Sequence, residues 1–408
     1  MDKRKIIFAG IFLMVCVAIG FLLYWVFFAK KTPSIAPGQP GAEGPTAGQF
    51  PTAGAGQPTL PTTKPGKLPT AVSKPITPKT VTPTVKPSFP ITNKVDSSIL
   101  GSSKDTVGSA KFYNTTDGKF YRLNKDGSIT ALSDEVFFNV QKATWSPTKN
   151  ESIIEYPDGS NIYYNFDTKK QVTLPKHWQD FSFSPLGDKV ASKSLGLATE
   201  NRWLVTADPE GKSVKLIAPL GENADKVTVN WSPNKQIVAT SATGDPQGAD
   251  KQEILFVGLQ GENFRSIVVE GRGFESQWST SGKKLLYSVY SARSNFKPEL
   301  WIVNAEGDSI GTGRKMLNLN TWSEKCAFSD DRFIYCAVPT QMQTGAGFAP
   351  GLADATNDKI YKIDTETGIK TELTTDGYNT VDSMFLGDNN KTIYFTDKNN
   401  SGLFSVPI

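Results

Sequence analysis

The sequence of this 408-residue chain predicts an all-β fold, a ring of seven four-stranded blades, and three observations predict it. Beyond Asp96 the chain alternates short runs of Val, Ile, Tyr and Phe with Asp-Gly, Asn-Lys and Gly-Lys turns, and no long segment carries a 3.6-residue period. One hairpin unit then recurs: an apolar residue, usually aromatic, then Ser, a polar or Gly-bearing turn, and a second apolar strand. Further apolar runs follow each hairpin. Four strands per roughly 40 to 50 residues is the period of a propeller blade.

Taken in order, residues 1–30 predict a cytoplasmic tip and a transmembrane helix. The run Ile6 to Phe28 is apolar and uncharged, and at about 1.5 Å per residue it reaches about 35 Å as a helix. Lys3, Arg4 and Lys5 precede it, Lys30 and Lys31 follow it, and Tyr24 and Trp25 fall where an interfacial belt belongs. The alternative is a cleaved signal peptide, whose apolar region is shorter, about 7 to 15 residues. Three basic residues before the helix against two after it place the N-terminus in the cytoplasm and the rest of the chain outside.

Residues 31–95 hold 14 of the 26 prolines, seven Lys and a single acid, Glu43. A segment of that composition cannot bury enough apolar surface to offset its ordering entropy, so it is expected to be a disordered, extended stalk. Its bland role is that of a spacer; its lysines also suit anionic lipid or cell-wall polymer, and its Thr-Pro runs suit O-glycosylation.

Residues 96–408 form the expected propeller. The hairpins are Trp145-Ser146-Pro147, Phe183-Ser184-Pro185-Leu186-Gly187, Trp231-Ser232-Pro233-Asn234, Trp278-Ser279-Thr280-Ser281-Gly282, Phe328-Ser329-Asp330-Asp331 and Phe385-Leu386-Gly387-Asp388. The apolar residue ends an inner strand, Ser where present can bond back to the turn, Pro presets φ, and Gly or Asn takes a positive φ. Third strands are expected at 162–166, 203–206, 254–257, 300–303 and 360–363, and a fourth at 214–217. Six hairpins and the N-terminal unit Lys111 to Ser133 make seven blades, with a segment such as Val95 to Leu100 closing the ring by strand exchange. Six blades result if Lys111 to Ser133 only completes the sixth.

Ser184-Pro185-Leu186-Gly187-Asp188-Lys189-Val190-Ala191 resembles the Ser-Pro-Asp-Gly-Lys-Lys-apolar hairpin of TolB-type, WD-like β-propeller repeats. The resemblance covers about Lys111 to Ile408. It implies the propeller fold and is compatible with both interaction propellers and peptidase-associated ones.

Charge excludes one function class. Residues 1–95 carry eleven basic and two acidic side chains, leaving 33 and 38 for the remainder, so the folded part is acidic and unsuited to nucleic acid. One His and three Cys supply neither a four-thiolate zinc site nor an iron–sulfur cluster, and no cofactor or metal site is expected. The match Gly307-Asp308-Ser309-Ile310-Gly311 lies in a strand-to-strand turn, where a nucleophile elbow needs a strand-to-helix turn, and His177 sits in a blade connection. No catalytic residue is assigned.

Two sites remain. A hairpin centred on Asp331 places Cys326 opposite Cys336, either as a disulfide or as two packed thiols. The 21-residue stretch Val338 to Asp358 is long for a propeller loop, and such loops are commonly functional. With its neighbour it offers Tyr290, Arg293, Phe296, Met342, Phe348 and Leu352 as partner-binding candidates. The expected function is that of a membrane-tethered, extracytoplasmic protein-interaction or scaffolding module of the cell envelope. The alternative is an envelope hydrolase or lyase acting on peptide or glycan through carboxylates at the propeller funnel.

Overall fold

The computed structural model describes residues 88–408, apart from Pro246 and Asn263, together with Met14, Val17 and Ile19. Those three are helical. Apart from these three, the expected membrane helix lies outside the described residues, as does most of the stalk, and among the described residues no helix is long and apolar enough to cross a membrane.

Three of the aromatic–Ser hairpins have turns closed by the serine hydroxyl; at Phe328-Ser329 the Asp330 carboxylate does this instead, and the Ser146 hydroxyl is buried without a partner, against the expectation. The Ser184 hydroxyl accepts from the amides of Asp188 and Lys189 at 3.2 and 3.1 Å and donates to the Asp188 carboxylate at 2.6 Å. Ser232 and Ser279 accept in the same way from Ile237 at 3.0 Å and Lys284 at 3.1 Å. Gly187 and Gly282 take left-handed φ values of 67° and 77°. At Gly187 a Cβ would also sit 2.5 Å from Ser146 Oγ and 2.7 Å from Thr148 Oγ1, so the third-blade hairpin nests directly on the second-blade one.

The chain is a seven-bladed β-propeller, with antiparallel blades over residues 99–131, 142–174, 178–219, 227–269, 272–316, 326–375 and 381–407. The last blade takes its outer strand, Thr92–Val95, from the N-terminal side, where it pairs antiparallel with Leu403–Pro407. The sixth gains a fifth strand, Ser88–Phe89, parallel to Thr374 and Thr375. Ring closure by strand exchange is therefore present, displaced from the expected 95–100 segment. Ile99–Lys104 is instead the innermost strand of the first blade.

Apolar burial explains why the ring holds. Seven clusters of buried side chains fill the seven gaps between adjacent blades. Trp145, Phe183, Trp231, Trp278 and Phe328 each face the blade before them. The sixth copy departs from this by one residue: Leu386 enters the gap between blades six and seven, and Phe385 faces blade one. The register agrees, since Leu386 pairs Ile393 as Trp278 pairs Leu285.

Candidate functional site

In an up-and-down blade, the loops joining second to third strands share one face with the connections between blades; the two other kinds of turn share the opposite face. Side chains bridge the first set as this demands: Lys176 of a connection pairs with Asp158 of a loop at 3.0 Å, and Arg272 Nε donates to the Ala249 carbonyl at 3.1 Å. This face is built out by segments 196–201, 242–251, 291–298 and 340–357.

The longest of these is ordered by its own contacts. A 3-10 turn, Pro350–Ala353, folds it back, and Trp322, Ala346 and Ala353 are buried together with Met342 against them. Its backbone is stitched to the preceding blade, with the Gly345 amide donating to the Asn295 carbonyl at 3.0 Å and the Gly347 amide to that of Phe296 at 2.7 Å. At the loop's base Lys325 Nζ lies 2.7 Å from Asp358 Oδ2 and 3.0 Å from Oδ1, and Asp358 Oδ2 also accepts from the Val381 amide at 2.7 Å. Lys325 and Asp358 are almost wholly buried. Burial pushes the Asp358 carboxyl above its ordinary range, and Lys325 and the Val381 amide pull it back.

Phe348 projects from this loop, 60% exposed, with ring centroids 6.0 Å from Tyr290 and 5.8 Å from Phe296. The structure thus gathers three of the sequence candidates into one aromatic patch, with Leu352 exposed beside it in the same loop. Arg293 stands apart, ion-paired to Glu299 at 2.6 Å with its guanidinium 5.7 Å from the Trp301 ring centroid. Met342 lies outside this patch, half-buried against the loop's internal cluster.

Two further residues join the pattern that loop length alone did not reveal. Phe138 and Tyr378 lie in blade connections and are 75% and 84% exposed. Together with Phe296 and Phe348 they are the four exposed aromatic residues among the described ones, and all four lie on the built-out face. On the opposite face the large exposed apolar residues are aliphatic: Val107, Leu186, Val214 and Ile369.

The channel through the ring supplies the other candidate chemistry. A cleft of about 350 Å³ is lined by Thr228, Phe274, Glu275, Ser276, Gln277, Ser323 and Glu324, from three successive blades. Crowding by protein, reinforced by the Glu324 charge, pushes Glu275 up to about 7. Glu324 is raised for the same first reason, with Asp382 adding to it and Lys398 and Lys325 opposing. Among the described residues no group of three His, Cys, Asp or Glu is arranged to hold a metal ion. Ser309 and His177 are on opposite faces, in blade five and before blade three, and the Ser309 hydroxyl donates to the Glu306 carbonyl three residues back at 2.5 Å.

Cys326 and Cys336 are register partners in the first two strands of blade six, with Cα atoms 4.0 Å apart and their sulfurs in bonding contact. Both are fully buried.

No family model matches the chain, and no curated protein matches it. Solved structures do match. An oligogalacturonate lyase in complex with manganese is 12% identical with a TM-score of 0.55, over 78% of this chain and 93% of that one. The Swd1 β-propeller domain of Myceliophteria thermophila is 10% identical with a TM-score of 0.53, over 78% and 99%. The tricorn protease is 11% identical with a TM-score of 0.49, and this chain spans 34% of its length. At such identities the likeness is one of fold alone.

Proposed function

We propose that this chain is a membrane-tethered propeller of the TolB-like kind, displayed outside the cytoplasm, whose built-out face docks a protein partner. The observation that carries the reading is the confinement to that face of the four exposed aromatic residues found among the described ones. Exposed aromatic groups on a rigid scaffold are costly in water and are typical anchors of protein contacts. The apolar run Ile6 to Phe28 and the proline-rich segment after it support the tether.

The test is capture from membranes by the full-length chain and by its Phe296→Ser/Phe348→Ser variant, with Leu186→Ser/Ile369→Ser as the opposite-face control. The reading expects loss of a partner in the first variant and retention in the second. Equal capture by all three refutes it. Protease added to intact cells should remove the propeller; full protection refutes the topology.

A second reading, a hydrolase or lyase of peptide or glycan, is favoured by one observation, the Glu275–Glu324 pair, since a carboxyl held near 7 suits acid–base work. Turnover of a peptide or polyuronate that Glu275→Gln abolishes would establish it; turnover unchanged by Glu275→Gln, or none, would remove it.

A further inference from the structure

We propose that the partner segment docked on the built-out face is basic, carrying lysine or arginine beside apolar side chains. The inference rests on the reading that this face is the interface, and adds the partner's chemistry.

Charge is distributed unevenly between the two faces. The blade connections and second-to-third-strand loops carry fourteen acidic and seven basic residues, whereas the turns of the opposite face carry thirteen and eleven. Most of the seven cations are already engaged. Lys325 is buried against Asp358, Lys398 lies 3.0 Å from Asp354, Lys176 lies 3.0 Å from Asp158, and Arg293 lies 2.6 Å from Glu299. Two of the acids are met from opposite-face turns, Asp134 by Lys169 at 3.6 Å and Glu270 by Arg314 at 3.1 Å, and among the described residues the face keeps an excess of negative charge.

Part of that charge is carried by the same blade connection that supports the aromatic loop. Glu324 is two residues from Trp322, the floor on which the 340–357 loop packs, and that loop bears Phe348 and Leu352. Glu275 shares the adjoining cleft with Glu324. A partner with only apolar groups would leave these carboxylates desolvated and opposed, and an acidic partner would add repulsion. A basic side chain placed at the channel mouth relieves both while its apolar neighbours cover Phe348 and Phe296. Surface fields of this kind also steer approach of a cationic segment, with a rate that falls as salt rises.

The experiment uses the full-length chain in detergent and a fluorescein-labelled 14-residue probe peptide of lysine, leucine and proline. Anisotropy titration is followed by zero-length carbodiimide cross-linking and mass spectrometry of the adducts. Adducts should concentrate on Glu324, Glu275 and the acids of the built-out loops. Glu275→Gln/Glu324→Gln should weaken binding about tenfold and Phe296→Ser/Phe348→Ser at least about fivefold, with melting temperatures near that of the parent. Adducts spread evenly over both faces, or affinity unchanged in both double variants, overturn the proposal. The two levels separate cleanly: if Phe296→Ser/Phe348→Ser abolishes capture of a cellular partner yet the lysine probe does not bind through this face, the interface stands and the basic-partner inference fails. Undiminished capture by that variant removes the interface itself.

Discussion

Replacing Lys325 by Met removes the cation from a buried ion pair and leaves the Asp358 carboxylate with the Val381 amide as its sole remaining donor among the described contacts. Breaking a buried pair on one side costs about 3–5 kcal/mol. Protonation of Asp358 is the cheapest relief and leads to a similar figure, since holding a carboxyl of ordinary value 3.8 protonated at pH 7 costs about 4 kcal/mol at about 1.4 kcal/mol per unit. With an unfolding entropy of about 2.1 cal/mol/K per residue over roughly 320 residues, 4 kcal/mol lowers the melting temperature by about 6 °C. The sign with pH follows. The variant's Asp358 titrates higher when folded than when unfolded, so its penalty is absent below about pH 4 and grows as pH rises toward 7. Differential scanning calorimetry at pH 4.5 and 7.5 reads both quantities. A drop under 2 °C at pH 7.5, or the same drop at both pH values, refutes the reasoning. Lys325→Met/Asp358→Leu should recover at least half of the loss, because no charge is then stranded.

Three other outcomes are expected. Gly187→Ala combines a left-handed φ of 67° with a Cβ 2.5 Å from Ser146 Oγ, and should cost more than Gly127→Ala, whose φ is 86° with nothing within 4 Å; the second should cost about 1 kcal/mol and the first at least about 2, by thermal melting. Chain isolated without reductant and alkylated at once should yield Cys326 and Cys336 as a linked peptide pair, and breaking that link should remove about 3 kcal/mol for a ten-residue separation; two freely alkylated thiols contradict it. Glu275, raised from 4.5 to about 7 by crowding and by the facing Glu324, stabilises the fold below about pH 4.5 and loses that contribution as pH rises through 7, so Glu275→Gln should raise the melting temperature at pH 8 and leave it unchanged at pH 4.5; no difference at pH 8 contradicts it.

The propeller is readable in the sequence because its hairpins are closed by local chemistry. Ser184, Ser232 and Ser279 bond within five residues of themselves, so each hairpin announces itself in a short window. The innermost strand of the first blade escaped the pattern because its turn is held differently. There Asp105 accepts from the Gly108 amide at 3.1 Å and pairs with Arg122, with no aromatic–Ser signature, and Gly101 breaks the strand with a φ of 59°. Thr92–Val95 is polar for an equally physical reason: an outermost strand buries one edge and one residue, Val95. At Phe385-Leu386 the sequence points to the aromatic residue while the structure turns Leu386 into the gap, because side-chain type, without register, cannot say which of two adjacent residues enters it.

The site was readable in part. Loop length pointed to Phe296, Phe348 and Leu352, since a stretch of that length must either pack or present itself. Phe138 and Tyr378 sit in connections of ordinary length, and nothing in their neighbours marks them as exposed. The Lys325–Asp358 pair joins residues 33 apart in sequence, and the Glu275–Glu324 pair is assembled from two blades, so both need the ring to exist before they are visible.

The measurement that tests the central claim most directly is a hydrogen-exchange footprint of the full-length chain alone and with its captured partner bound. Protection should fall on 291–298, 340–357 and 376–380, with the opposite-face turns 184–189 and 365–369 unchanged. Protection confined to those opposite-face turns, or to the blade edges, would contradict the account.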